Sequence, residues 1–113
     1  MKLTELAFFT NDVGTMATFY RHLLGSEPVV EAEGMAIFMV GETKLFLHHT
    51  YTPGPKELPP TNHIAFTVTN VDETCQQLVA AGLTLEVPPQ DYYWGRSAYL
   101  RDPDGQQIEL TQG

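Results

Sequence analysis

The sequence predicts an α+β fold built from two tandem βαβββ modules. Three observations carry this expectation. Short stretches that alternate with period two are interrupted twice by a segment of helical period. The two interruptions stand at matching places in the two halves of the chain. A proline-rich stretch, Tyr51 to Pro60, lies between the halves. Such modules are expected to form a curved mixed sheet with both helices on its convex face. The 113 residues are read as one domain: module one about 1–50, a connector 51–60 and module two about 61–113.

Leu3 to Thr10 alternates, with Leu6 and Phe8 on one face and Glu5, Ala7 and Phe9 on the other, so it reads as a strand. Asn11 or Asp12 then offers a helix N-cap. Val13 to Leu24 carries Met16, Phe19, Tyr20, Leu23 and Leu24 at helical spacing, and Gly25 follows as a C′ glycine. Pro28 to Glu31 reads as extended, Ala32-Glu33-Gly34 as a turn and Met35 to Val40 as a strand. A third strand spans Lys44 to Thr50, with Leu45 and Leu47 facing one way and Phe46, His48 and Thr50 the other.

Tyr51 to Pro60 contains Pro53, Pro55, Pro59 and Pro60 and no periodicity, as expected of a semi-extended connector. Thr61 to Thr69 is again a strand, with His63, Ala65 and Thr67 opposite Ile64, Phe66 and Val68. Asn70 or Asp72 can cap a helix through Ala81, whose apolar residues are Val71, Cys75, Leu78 and Val79; Gly82 ends it. Leu83 to Val87 is extended, Pro88-Pro89 is expected to break it, and Asp91 to Gly95 reads as an aromatic loop. The chain closes on a hairpin from Trp94 to Leu110. Its turn, Asp102-Pro103-Asp104-Gly105, combines a fixed φ, two carboxylates able to bond local N–H groups and a glycine.

The halves repeat. Glu5-Leu6-Ala7-Phe8 matches His63-Ile64-Ala65-Phe66, and Val13 lies as far beyond Glu5 as Val71 beyond His63. Neither half is expected to bury its helix face alone, so the two are expected to pack together.

Composition narrows the function. The formal net charge is −8, which argues against nucleic acid or an anionic membrane as partner. A single cysteine, Cys75, permits no intrachain disulfide and points to a reducing compartment; at a core-facing helix position it is expected to be inert. No apolar run approaches the roughly 18 residues of a membrane span, and Met1 to Thr4 leads into a strand. The expectation is a cytoplasmic protein.

Each module places two potential metal ligands on the strand face away from its helix: Glu5 and His48 in the first, His63 and Glu109 in the second. Any one of them is an ordinary polar residue for a half-exposed strand. Four at matched places suggest convergence on a concave face. Two imidazoles and two carboxylates form a nitrogen and oxygen set suited to one divalent ion: Ni²⁺, Zn²⁺, Co²⁺, Mn²⁺ or Fe²⁺. By parity His49 belongs with Leu45 and Leu47, and His22 on the first helix is expected to be solvated. Tyr51, Tyr92, Tyr93 and Trp94 are expected to wall a substrate cavity, Arg96 to meet an anionic substrate group, and Arg101 to pair with Asp102 or Asp104.

The paired modules, Glu5, His48, Asn62-His63-Ile64-Ala65 and the closing Asp102-Pro103-Asp104-Gly105 hairpin with Ile108-Glu109-Leu110 resemble the vicinal oxygen chelate superfamily. That group includes glyoxalase I, methylmalonyl-CoA epimerase, extradiol dioxygenases and bleomycin- and fosfomycin-resistance proteins. The resemblance implies metal ligands at Glu5, His48, His63 and Glu109. Bacterial glyoxalase I carries His, Glu, His, Glu in that order, so the inventory is kept with the first two exchanged. It further implies a lyase or isomerase in which Glu109, or else Glu5, takes a proton from a substrate whose two neighbouring oxygens are chelated. Two other activities belong to the same group: non-catalytic binding of an antibiotic-like small molecule, and dioxygenation. The repeat also suggests a symmetric homodimer with two sites, either within each chain or shared between chains.

Overall fold

A computed structural model describes residues 1–113. Strands and helices follow in the order β1 (Lys2–Thr10), α1 (Val13–Leu24), β2 (Val30–Ala32), β3 (Met35–Val40), β4 (Thr43–His49), β5 (His63–Val68), α2 (Val71–Ala80), β6 (Leu85–Tyr92), β7 (Gly95–Arg101) and β8 (Gln107–Gln112). This is βαβββ twice. No helix is long and apolar enough to cross a membrane. The chain forms two compact units, Glu5–Asn62 and a second that joins Met1–Thr4 to His63–Gly113.

In the first unit the strands run β2-β3-β4-β1, with β1 parallel to β4 and the other pairs antiparallel. Helix α1 starts where Asp12 accepts the Thr15 N–H at 3.0 Å. It stops at Gly25, whose φ of 65° is left-handed and whose N–H reaches the Arg21 carbonyl. Its inner face is Val13 and Ala17, with Met16, Tyr20 and Leu24 packed alongside, against Leu6, Phe8, Ala36, Phe38, Leu45 and Leu47. Phe19 and Leu23, read from the sequence as part of this face, are 57% and 64% exposed. Small Ala17 sits at the contact, and the stripe through Val13, Ala17 and Tyr20 leaves those two side chains on the flank.

The second unit repeats the plan as β5-β8-β7-β6, with β5 parallel to β8. Asn70, rather than Asp72, caps α2 by accepting the Glu73 N–H at 3.0 Å. Val71 and Cys75 pack on Val68, Ala98, Leu100 and Leu110; Val79 is half exposed. Each helix therefore buries its apolar stripe on strands of its own module, contrary to the expectation that a half needs its twin for this.

One break expected from the sequence does not occur. β6 runs through Pro88 and Pro89 to Tyr92. It is the end strand of its sheet order and pairs with β7 through two register shifts, between Leu85 and Val87 and between Val87 and Gln90. Irregular pairing on one edge is where a residue without an N–H is tolerated. Tyr93 and Trp94 are then a two-residue turn into β7 rather than a longer aromatic loop. The second hairpin closes as its chemistry requires: Asp102 Oδ1 accepts the N–H groups of Asp104 at 3.0 Å and Gln106 at 2.8 Å.

Candidate metal centre

The turn Asp102–Gly105 sets the register of β7 on β8, and that register builds the surroundings of Glu109. Leu100 pairs with Ile108 and Ala98 with Leu110, facing α2. The alternate residues Ser97, Tyr99, Gln107 and Glu109 therefore share the other face. All four are buried, Ser97 fully and Glu109 to 6% exposure. On β5, His63 pairs with Gln107 and Ala65 with Glu109, so His63 stands one diagonal step from the carboxylate.

His63 Nε2 lies 3.2 Å from Glu109 Oε1. The Ser97 hydroxyl donates to Glu109 Oε2 at 2.9 Å and accepts from the Trp94 indole N–H at 3.2 Å. Tyr99, directly opposite Glu109, is a further hydrogen-bond partner of the carboxylate, and its ring meets that of His63 edge-on at 6.4 Å. Burial works to raise the Glu109 pKa. The hydrogen bonds from His63 and Ser97 and the His63 charge outweigh it and hold the carboxyl below its ordinary value of 4.5. Both carboxylate oxygens are thus oriented before any ligand arrives.

Three of the four sequence-predicted ligands, Glu5, His63 and Glu109, make a group of side chains that could hold a metal ion. The donor set fits one. Two carboxylates balance a divalent charge, and the Nε2 and Oε1 atoms now facing each other are those an ion would take, with release of the proton between them. Three protein donors leave coordination positions for substrate.

His48 is not in this group. Its face is as expected but its height along the strand is not. β4 pairs with β1 so that Phe9 faces His48 and Glu5 faces Lys44. His48 is therefore four residues further along than Glu5, about 13 Å at 3.3 Å per residue. The repeat makes the same point. Glu109 pairs with the residue two past His63, and in the first unit the residue that pairs two past Glu5 is Phe46. A phenyl ring occupies the place matching Glu109.

His48 instead sits among aromatic rings. Phe46 stacks on it with centroids 5.6 Å apart, and Phe9 and Tyr51 lie at 5.5 and 6.2 Å. The Tyr51 hydroxyl donates to the Leu58 carbonyl at 2.6 Å, folding the proline-rich connector back on itself. In the second unit Tyr92 and Trp94 stack at 4.4 Å, nearly parallel. Burial, then the Glu109 charge, pushes the Tyr92 phenol above its ordinary value of 10. Tyr93 is 98% exposed at the turn.

The arginines are otherwise engaged than expected. Arg96 donates to both carboxylate oxygens of Asp72, at 2.7 and 2.8 Å, and to Asp91 at 3.1 Å. It ties the start of α2 to the β6–β7 hairpin rather than presenting its guanidinium to an anionic substrate. Arg101 pairs across to Glu86 on β6, not with Asp102 or Asp104. Asp102 is occupied with the turn. Cys75 is buried in the second core, as expected, and burial raises its thiol pKa; His22 and His49 are exposed. Ser97 and Tyr99 were missed by sequence reasoning. Counting back from the hairpin turn would have placed both on the face of Glu109.

Two βαβββ units, with a carboxylate and an imidazole on paired parallel strands, match a known family model, Glyoxalase/Bleomycin resistance protein/Dioxygenase superfamily, over residues 2–110. The chain belongs to this superfamily. The metallothiol transferase FosB of Shouchella clausii (strain KSM-K16) is 30% identical to this superfamily member over 98% of its length and 80% of the relative's. The glutathione transferase FosA of Serratia marcescens is 31% identical, over 98% and 80%. Among solved structures, the hypothetical protein BH1468 from Bacillus halodurans C-125 is similar with a TM-score of 0.76, at 20% identity over 99% of this chain and 94% of that one; this likeness concerns the fold alone. Superfamily membership and the Glu5, His63 and Glu109 group together support a metal-dependent small-molecule enzyme in general.

Proposed function

We propose that this protein is a lyase or isomerase of the glyoxalase type, acting on a small molecule with two neighbouring oxygen atoms. Glu5, His63 and Glu109 hold one divalent ion, of the group Ni²⁺, Zn²⁺, Co²⁺, Mn²⁺ and Fe²⁺. The observation that carries this reading is the buried Glu109 carboxylate, oriented by Ser97 and set 3.2 Å from His63 Nε2. When bound, the ion supplies Lewis-acid polarisation of the substrate oxygens.

Glu109 is the anchor in this scheme and Glu5 the base. Sequence reasoning favoured the opposite assignment. A carboxylate whose pKa is held down is a weak base, and one clamped by a buried serine does not swing to meet a carbon acid. Glu5, half-buried on β1, takes the proton from the carbon beside the polarised carbonyl and returns it to the neighbouring carbon. Tyr92 and Trp94 offer a flat apolar wall beside Glu109. The assembly proposed with this reading is a symmetric homodimer, for which the internal repeat is the support; sedimentation as a monomer at micromolar concentration would overturn it.

The test is metal content by inductively coupled plasma mass spectrometry on untagged protein. About one divalent ion per chain is expected, lost in His63→Ala; Glu5→Gln, which keeps a neutral oxygen donor, should bind the ion more weakly and, when loaded at excess metal, should lose turnover of 2-oxoaldehydes or epimerisable thioesters. A His63→Ala protein that keeps both metal and turnover sinks the reading. A second reading, transfer of a thiol to an electrophilic small molecule, is favoured by the transferase relatives. Thiol-dependent consumption of an epoxide, with no 2-oxoaldehyde turnover, would select it.

A further inference from the structure

The first unit carries a constellation that the metal centre does not use. On β1, β3 and β4 the residues facing α1 are Leu6, Phe8, Ala36, Phe38, Leu45 and Leu47. By alternation and register the other face carries Glu5, Phe9, Phe46 and His48. Phe9, Phe46 and His48 are each only part-buried, so aromatic surface on this face is left accessible.

His48 is fixed within it. Its Nδ1 lies 2.7 Å from the His49 carbonyl oxygen. A carbonyl only accepts, so Nδ1 bears the hydrogen and the neutral ring presents Nε2 as a hydrogen-bond acceptor. Phe46 stacks on the imidazole at an interplanar angle of 24°, Phe9 is tilted against it at 56° and Tyr51 stands edge-on at 77°. The Tyr51 hydroxyl is spent on the Leu58 carbonyl, so Tyr51 contributes a ring face and no donor. The result is one oriented acceptor bordered by three aromatic side chains. Such surroundings suit a flat, uncharged group that brings its own donor, a phenolic O–H or a ring N–H; the cation sharing this face, Lys44, stands four residues along β4 from His48, opposite Glu5.

We propose that Phe9, Phe46, His48 and Tyr51 form a subsite for a planar aromatic group of the substrate carrying a hydrogen-bond donor, received by His48 Nε2. This deepens the proposed function, on which it rests for placing the subsite on the Glu5-bearing face as a specificity element. His48 is a positioning residue here and not a metal ligand.

The experiment uses phenol as probe and anisole, which has the same ring but no donor, as control. Both are titrated into chelator-treated full-length protein, with the His48 ring nitrogens followed by long-range ¹H–¹⁵N correlation. The free protein should show the Nδ1–H tautomer. Phenol should shift Nε2 saturably and bind about fivefold more tightly than anisole, the worth of one neutral hydrogen bond. His48→Phe keeps a flat ring and removes the acceptor; it should bind both probes equally, with unchanged near-ultraviolet circular dichroism and metal content. Phenol preference surviving in His48→Phe, an Nε2–H tautomer, or no shift of His48 with phenol would each overturn the proposal. Failure of the metal reading appears separately, as unchanged metal content in His63→Ala, and leaves the phenol titration as it is.

Discussion

Ser97→Ala removes one oxygen atom and should be costly. The hydroxyl is fully buried, donates 2.9 Å to Glu109 Oε2 and accepts 3.2 Å from the Trp94 indole. Hydrogen bonds to charged groups contribute about 1.5–3 kcal/mol. Trp94 is 44% exposed, so its N–H can turn to water and adds little to the loss. Glu109, buried on β8, has no such recourse. A destabilisation of about 2 kcal/mol follows. With an unfolding entropy of about 240 cal/mol/K for a chain of this length, Tm should fall by roughly 8 °C. The Glu109 carboxyl also loses one of the bonds that lower its pKa, so metal affinity should drop about 10-fold, the lower end of what loss of such a supporting partner costs. Urea unfolding of chelator-treated protein measures the first effect and competition with a fluorescent chelator the second. A loss below about 0.5 kcal/mol, with unchanged metal affinity, would show that Ser97 does not orient Glu109 and would refute this account of the site.

Four further outcomes are expected. Glu109 has a folded-state pKa below its unfolded value, so its contribution to stability is present above about pH 4.5 and is lost as pH falls through the folded pKa. Glu109→Gln should therefore flatten the acid limb of the stability–pH curve, read by circular dichroism; an unchanged limb would count against the lowered pKa. Arg96→Ala breaks the ion pairs to Asp72 and Asp91 on the surface, so a small drop in Tm that shrinks with added salt is expected, with substrate KM unchanged; a large rise in KM would restore Arg96 to the substrate site. Leu47→Ala, at a fully buried position in the first core, should cost about 2–5 kcal/mol in urea unfolding. Phe46→Glu places a carboxylate where the repeat matches Glu109 and should tighten Mn²⁺ binding, measured by calorimetry; weaker binding would refute the register-based matching of Phe46 with Glu109.

Much of the fold was legible because each element carries local chemistry that agrees with its tertiary setting. Asp12 and Gly25 bracket α1, Asn70 opens α2, and Asp102 closes the last hairpin. The proline pair in β6 misled because whether proline ends a strand depends on edge position and bulges, which belong to the sheet and not to the segment. The site was legible by halves. Period-two parity assigns a side chain to a face and is silent on its height along the strand. Glu5, His63 and Glu109 fall into one group that could hold a metal ion, while His48 shared their parity and stood four residues away from the level of Glu5. Phe19 and Leu23 fell within a plausible helical stripe, but a single small residue, Ala17, moved the contact line past them. Arg96 and Arg101 found partners on elements distant in sequence, Asp72 and Glu86, that no local pattern announces.

The boundary between the two compact units does not fall within the proline-rich connector. Thr4 Oγ1 is 2.8 Å from Thr67 Oγ1, and Met1–Thr4 group with His63–Gly113, while Glu5 onward belongs to the other unit. One continuous strand thus serves two masters. During synthesis Thr4 waits for its partners, Ala65 and Thr67, until more than half of the 113 residues have been made. The same feature governs dissection. A split reporter cut between Pro55 and Lys56 separates each fragment from part of its own unit, so the pieces should report on reassembly only together. Joining Met1–Thr4 to His63–Gly113 through a linker long enough to reach from the level of Thr67 back to His63 would keep that unit's residues on one segment, the arrangement from which an autonomous half is best engineered.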